Sequence, residues 1–172
     1  MSKMRIGSSF HVIGRMVGTI IALALFDQIT KSLAKAYLDP FYPIKLIPGH
    51  LHLTLVFNPG AAFGLMRSWP ETLRMILFSI MYVIAFIILI NMYRHKRSES
   101  KLVPVAISLI GGGALGNLID RYRLGHVVDF IDTFPFGYDF PSFNFADSFI
   151  TIGVSLMLIY LLFIEKEPAD VP

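Results

Sequence analysis

The sequence predicts a mainly α-helical, polytopic membrane protein: four transmembrane helices with a small extracytoplasmic β-sheet cradle. Three observations predict it. The 172-residue chain is 55% hydrophobic and only 16% charged, against roughly 25% charged in a soluble domain, and its mean hydropathy is +0.64. Four apolar runs are each long enough to cross about 30 Å of hydrocarbon as a helix. Between the first two lies a proline-rich stretch whose apolar residues recur with period two, the pattern of a strand rather than a helix.

The spans fall at about 12–33, 75–93, 102–119 and 145–164, within a single membrane domain of residues 1–172. Lys3, Arg5 and Arg15 precede or open the first span with no acid among them, which places the N-terminus in the cytoplasm by the positive-inside tendency. Residues 16–26 carry no charge, and the run is then broken by Asp27-Gln28-Ile29-Thr30-Lys31. Asp27 and Lys31 are four apart, so they share a helix face, with the acid N-terminal to the base. The pair reads either as an ion pair at the membrane boundary or as a device that orients a site on the outer side. Asp27 and Lys31 stand where a small-residue cleavage site would follow a secretory leader, so no cleavable signal peptide is expected.

Residues 37–69 differ from the spans. Pro40, Pro43, Pro48 and Pro59 break helices. Leu51, Leu53, Leu55 and Phe57 alternate with other residues, giving a strand with one apolar face, and residues 44–47 supply its partner. Asn58-Pro59-Gly60 is a turn, followed by the small apolar run Ala61-Ala62-Phe63-Gly64. The expectation is a sheet on the outer membrane surface with its apolar face toward lipid or substrate; a plain folded connector is the simpler alternative.

The second span, residues 75–93, has 19 residues without a formal charge between Arg74 and Arg94. Arg94, Lys96, Arg97 and Lys101 then make a short basic loop, a cytoplasmic topology signal that needs no nucleic acid to explain it. In the third span Ser108, Gly112 and Gly116 recur every four residues, a small-residue face that lets helix backbones approach closely in lipid. Asn117 and Arg121 share a face if that helix continues past residue 119. The fourth span runs 17 uncharged residues beyond Asp147 to Glu165-Lys166-Glu167. Four spans return the C-terminus to the cytoplasm and put residues 37–69 and the loop 120–144 outside. Phe134, Phe136, Tyr138, Phe140 and Phe143 suit an interfacial aromatic belt.

Composition narrows the chemistry. With no cysteine there is no disulfide, thiolate nucleophile or Cys-based metal site, and the five histidines are scattered; no metal or cofactor is predicted. Acids hold more interest. Asp129 sits inside Val127-Val128-Asp129-Phe130-Ile131, and Asp147 opens the fourth span. Simple roles exist for both: a salt bridge from Asp129 to Arg121 or Arg123, and a helix cap or dipole partner for Asp147. Yet an acid near lipid costs roughly 2.5–3.5 kcal/mol at a helix centre and less at the interface. Two neighbouring carboxylates cannot both ionise easily, so one holds a proton, and such a pair can activate water and polarise a carbonyl. Arg121, Asn58, Asn117 and Asn144 are placed to hold substrate backbone or tune the pair. A proton-coupled transporter is the competing class, but no internal repeat is evident and the acids lie at helix ends rather than the midplane. A non-enzymatic lipid-binding scaffold is a third.

Five blocks in order carry a resemblance: Asp27 to Lys31; Asn58-Pro59-Gly60-Ala61-Ala62-Phe63-Gly64; Gly112-Gly113-Ala114-Leu115-Gly116-Asn117-Leu118-Ile119-Asp120-Arg121; Gly125-His126-Val127-Val128-Asp129-Phe130-Ile131; and Phe143-Asn144-Phe145-Ala146-Asp147. From Asp27 to about Gly153 the chain resembles the lipoprotein signal peptidases, or signal peptidase II, of bacterial membranes. The resemblance implies a four-helix aspartic peptidase of the cytoplasmic membrane that cuts diacylglyceryl-modified prolipoproteins just before the lipidated cysteine. It puts the catalytic pair on Asp129 and Asp147. Supporting positions fall on Asn58, Asn117, Asp120, Arg121 and Asn144, with Gly60 beside them in the turn, and on the pair Asp27 and Lys31. It implies a substrate-cradling sheet over about 41–57, an active site at the extracytoplasmic interface, membrane lipid as surroundings, globomycin-type inhibitors and no nucleic-acid partner. A monomer is expected.

Overall fold

The computed structural model describes residues 3–60, 66, 68–96 and 100–164. The Ala61-Ala62-Phe63-Gly64 run, the centre of the basic loop, the C-terminal tail and the Phe136 side chain lie outside the described residues.

Four helices dominate. Helix α1 spans Lys3–Tyr37, α2 Glu71–Lys96, α3 Leu102–Leu124 and α4 Phe145–Ile159, continued by a π turn at Tyr160–Ile164. All four are long and apolar enough to cross a membrane. Their surfaces agree with that. On α2 the side chains of Ile76, Ile80, Val83, Ile84, Ile87, Ile88 and Ile90 are exposed, and on α1 so are Ile21, Leu25 and Ile29. Large apolar faces of this kind are stable only under lipid or another protein surface.

Helix α3 is the axis against which the others pack, because its small residues let backbones approach. A Cβ at Gly112 would fall 2.7 Å from Cβ of Leu23 on α1, and one at Gly116 would fall 2.5 Å from Oδ2 of Asp27. On another side of α3 a Cβ at Gly113 would collide with the Ala146 carbonyl of α4. The small-residue face at Gly112 and Gly116 therefore serves α1, while Gly113 serves α4. Near the basic-loop end Leu89, Tyr93, Val103, Ala106, Ile107, Met157 and Tyr160 close a core between α2, α3 and α4.

At the opposite end lies one four-stranded antiparallel sheet in the order β1 (Ile44–Ile47), β2 (Leu51–Asn58), β3 (Val127–Thr133), β4 (Phe140–Phe143). The residues expected as loop 120–144 are thus corrected. Helix α3 continues to Leu124 and is capped by Gly125, whose positive φ of 75° suits the left-handed conformation and whose N–H reaches the Arg121 carbonyl. Two strands and a short 3-10 turn at Pro135–Gly137 follow. The β3 strand hid from the alternation test because Val127, Val128, Asp129 and Phe130 are all buried, so no polar face marks it. The sheet expected over 41–57 is only half of the one formed.

Register gives the sheet two faces. Ile44, Leu53, Ile131 and Phe143 are cross-strand partners in one row, on the same side of β3 as Asp129. The neighbouring row, Lys45, His52 and Asp132, faces the other way and is polar. Tyr37, Phe41, Tyr42, Tyr138 and Phe140 stand exposed around the sheet, as residues at a lipid–water boundary do.

Candidate active site

A cavity of about 720 Å³ opens where the sheet meets α3 and α4. Asp129, Asp147, Asn58, Gly60, Asn117 and Arg121 all line it. Asp129 comes from β3 and Asp147 from the first turn of α4. Chain segments far apart in sequence converge here because β3 pairs with β2 on one side and β4 leads directly into α4.

Asp129 is 2% exposed. Its Oδ2 accepts from Asn58 Nδ2 at 3.0 Å and its Oδ1 from Asn144 Nδ2 at 2.7 Å. The salt bridge to Arg121 or Arg123 weighed from sequence is not formed among the described residues; amides, not cations, hold this carboxylate. Burial, with a smaller contribution from the neighbouring Asp147, pushes the Asp129 carboxyl up to about 7 against the opposing effect of the bonds from Asn58 and Asn144 and the charge of Lys31.

Asp147 is half-buried. It occupies the third position of α4 and forms a capping box with Asn144: the Asn144 Oδ1 accepts from the Asp147 N–H at 3.1 Å, and Asp147 Oδ2 accepts from the Asn144 N–H at 3.2 Å. Its Oδ1 accepts from Asn117 Nδ2 at 2.8 Å. Capping and site are the same residue, so the two readings of Asp147 are not exclusive. Asn144, fully buried, caps Asp147 with its oxygen and binds Asp129 with its nitrogen. Asn144 therefore joins the two acids, holding the Asp129 carboxylate with its side-chain nitrogen and the Asp147 carboxylate with its backbone N–H.

Asn117 is the link to a second group of charges. Its Oδ1 accepts from Lys31 Nζ at 2.8 Å. Lys31 also forms ion pairs with Asp27 Oδ2 at 2.7 Å and Asp120 Oδ2 at 3.0 Å, so an amide oxygen and two carboxylates surround its ammonium. Asp27 Oδ1 accepts from the Ala146 N–H at 3.0 Å, and Asp120 Oδ2 from the Val128 N–H at 3.0 Å. Asp27 and Lys31 thus pin the start of α4, and Asp120 pins β3 beside Asp129. None of these three lines the cavity, and Asp120 supports the site from behind rather than meeting whatever fills it.

Arg121 does line the cavity. Its Nη2 donates to the Gly60 carbonyl at 3.0 Å and its guanidinium lies 3.7 Å above the Phe78 ring. The Gly60 N–H in turn donates to Asn58 Oδ1 at 3.1 Å. Sequence reasoning gave no role to Gln28, whose amide donates to Asp120 Oδ1 at 2.8 Å and to the Gly116 carbonyl at 3.1 Å. A carboxamide between two charged residues of an otherwise apolar run was the available signal. Ser148 and Ser142, also unassigned, line the cavity, and nothing in their spacing marks them.

Comparison with known proteins bears on the family and the fold. The model of the family described as Signal peptidase (SPase) II matches residues 19–163. A lipoprotein signal peptidase of Sulfurihydrogenibium sp. (strain YO3AOP1) is 40% identical over 152 residues, covering 88% of this chain and 93% of that protein. One of Staphylococcus aureus (strain bovine RF122 / ET3-1) is 41% identical over 152 residues, covering 88% and 90%. Two solved chains described as bacterial membrane enzymes resemble this fold with TM-scores of 0.78 and 0.76, each at 40% identity, covering 93% and 89% of this chain and 96% of each of theirs. With its four apolar helices, small antiparallel sheet and near-complete match to these relatives, the chain belongs to the signal peptidase II family.

Proposed function

We propose that this protein is an aspartic endopeptidase of the bacterial cytoplasmic membrane that releases the signal peptide from diacylglyceryl-modified prolipoproteins by cutting the peptide bond before the lipidated cysteine. Family membership supports signal-peptide removal from prolipoproteins. The observation that most favours an aspartic mechanism is the pair Asp129 and Asp147, which line one cavity and are joined through Asn144.

The chemistry follows from a shared proton. Asp129, pushed up to about 7, serves as the proton donor of the pair and Asp147 as its general base. Asp147 takes a proton from a water lying between the acids as its oxygen attacks the scissile carbonyl. Asp129 gives its proton to the carbonyl oxygen, forming a gem-diol. As the C–N bond breaks, the proton held by Asp147 passes to the departing amine of the cysteine, and a diol proton returns to Asp129. One water is consumed and both acids end as they began, without a cofactor or covalent intermediate.

The surroundings suit the substrate. Val56, Phe57, Phe140, Phe143 and Ile152 give the cavity an apolar wall for acyl chains. Asn58, Asn117 and Arg121 offer polar contacts to the peptide, with Gly60 leaving its backbone accessible to Arg121, while the buried Asn144 holds the acids from behind. The cavity sits at the sheet end, opposite the loop bearing Arg94 and Lys101. With that loop cytoplasmic, both termini are cytoplasmic and cleavage occurs at the outer interface, where a lipidated substrate arrives by lateral diffusion. A monomer suffices, since both acids come from one chain, and a globomycin-type cyclic peptide would compete for the same cavity.

The test is release of a signal peptide from a lipidated precursor by purified enzyme in detergent. Asp129→Asn and Asp147→Asn are each expected to reduce it by roughly 10²–10⁴-fold. Near-wild-type turnover by either folded variant rejects the assignment.

A further inference from the structure

Strand β4 pairs with β3 only at Ile131 and Thr133, so it does not reach Val128, the residue before Asp129. Two side chains stand in for the missing strand there. Asp120 Oδ2 accepts from the Val128 N–H at 3.0 Å, and Asn144 Nδ2 donates to the Val128 carbonyl at 3.3 Å. A neighbouring strand residue would make the same two bonds, and a buried peptide group needs them. Asn144 is itself held by the capping box of α4. Asp120 is held by Gln28 of α1. The half-buried Gln28 donates from Nε2 to Asp120 Oδ1 at 2.8 Å and to the Gly116 carbonyl, one turn back on α3, at 3.1 Å. Its amide thus bridges the carboxylate and the helix that carries it.

We propose that Gln28 is a positioning residue: by fixing the Asp120 carboxylate it sets the place of Val128, and with it the aim of Asp129. The terminal torsion of an aspartate is soft. Lys31, 3.0 Å from Asp120 Oδ2, attracts either oxygen and does not by itself fix that torsion. The Val128 N–H needs Oδ2 in one place. Gln28 supplies the missing constraint, because it grips the other oxygen, Oδ1, and is itself tied to Gly116. Without it the carboxylate turns, the Val128 N–H loses its acceptor and β3 shifts beside the cavity. Asp129 follows directly on Val128, so its bonds from Asn58 at 3.0 Å and Asn144 at 2.7 Å then lose alignment. Gln28 does not line the cavity, and it acts on the reaction through Asp120 and β3.

This inference rests on the aspartic dyad proposed above, and its test separates the two. Gln28→Met keeps the length and helix propensity of the side chain and removes the donors. It is expected to lower kcat about tenfold, the weight of one hydrogen bond to a charged group, with KM within about twofold because the cavity wall is intact. Amide hydrogen exchange in detergent gives a second readout. In Gln28→Met residues 125–131 should exchange about tenfold faster, while residues 89–93 and 103–107, in the core at the other end, keep wild-type rates. Gln28→Asn, whose amide is one methylene too short to reach both partners, should show the same pattern, and it serves if Gln28→Met does not fold. Ser32→Ala is the control: it removes an exposed bond from Ser32 to the Gln28 carbonyl at 2.7 Å and should leave kcat and exchange unchanged. Wild-type kcat and exchange in Gln28→Met would overturn the proposal. So would an equal effect in Ser32→Ala, or faster exchange throughout the protein with kcat unchanged, which is the mark of a purely structural residue. If Asp129→Asn retains turnover, the dyad itself is wrong, and the exchange of residues 125–131 still reads the hold of Gln28 on β3. If that variant is crippled and Gln28→Met is unchanged, only the positioning role fails.

Discussion

Two groups of aspartates lie side by side in this molecule and have opposite surroundings. Asp27 and Asp120 are sealed, 0% and 2% exposed, and share the ammonium of Lys31. Asp129 and Asp147 face a cavity and are held by neutral amides from Asn58, Asn117 and Asn144. A cation in contact ties a carboxylate into a fixed pair, which makes it a fastener. Amide donors orient a carboxylate without supplying a full counter-charge, so in a buried place a proton can stay on it. On the proposed mechanism, the same side chain is structural in one place and reactive nearby because of what donates to it.

That contrast can be broken most sharply at the cavity. Asp147→Asn should reduce cleavage by roughly 10²–10⁴-fold, the usual contribution of a general acid or base, with the melting temperature near that of wild type. Lys31→Met should do the reverse in kind. It leaves Asp27 and Asp120 buried with no cation, at a cost of about 3–5 kcal/mol, and thermal unfolding in detergent should show a large loss of stability. Full stability with lost activity would make Lys31 part of the chemistry. Gly116→Ala is gentler. Its Cβ would sit 2.5 Å from Asp27 Oδ2, so the charge group must shift, costing about 1–3 kcal/mol; an unchanged melting temperature would mean that α1 and α3 separate freely.

The smallest effect is in pH dependence. The folded value for Asp129, about 7, lies above its ordinary 3.8. A raised carboxyl contributes stability that is present below 3.8 and is lost as pH rises through about 7. The melting temperature of the wild type should therefore fall between pH 5 and pH 8 relative to that of Asp129→Asn. Identical slopes in the two proteins would show that Asp129 ionises as an ordinary exposed acid.

Legibility in the sequence was uneven, for physical reasons. Residues 75–93 could be read as a span because lipid imposes an all-or-none demand on twenty consecutive side chains. Gly112 and Gly116 could be read as a close-packing face because only missing side chains permit it. Asp129 stood out because an acid between valines and phenylalanine must have partners. The partners themselves were not legible: Asn58 lies 71 residues away and Asn144 lies 15 residues away, and the arginines nearby in sequence were the natural but incorrect guess. Gln28 was passed over because a single amide in a helix is compatible with many environments. Strand β3 was read as loop because a strand buried on both faces loses its alternation.

What the sequence alone determined is therefore set by local or solvent-imposed constraints: four apolar helices, a turn-rich segment between the first two, and acids too deep in apolar company to be ornamental. Which amide reaches which acid was decided only in three dimensions. Hydrogen bonds and ion pairs are satisfied by proximity across helix and sheet interfaces, and proximity is created when α3 draws α1 and α4 together and β2 lies beside β3. Until that packing exists, Lys31 has only Asp27 beside it and Asn144 has nothing to bridge.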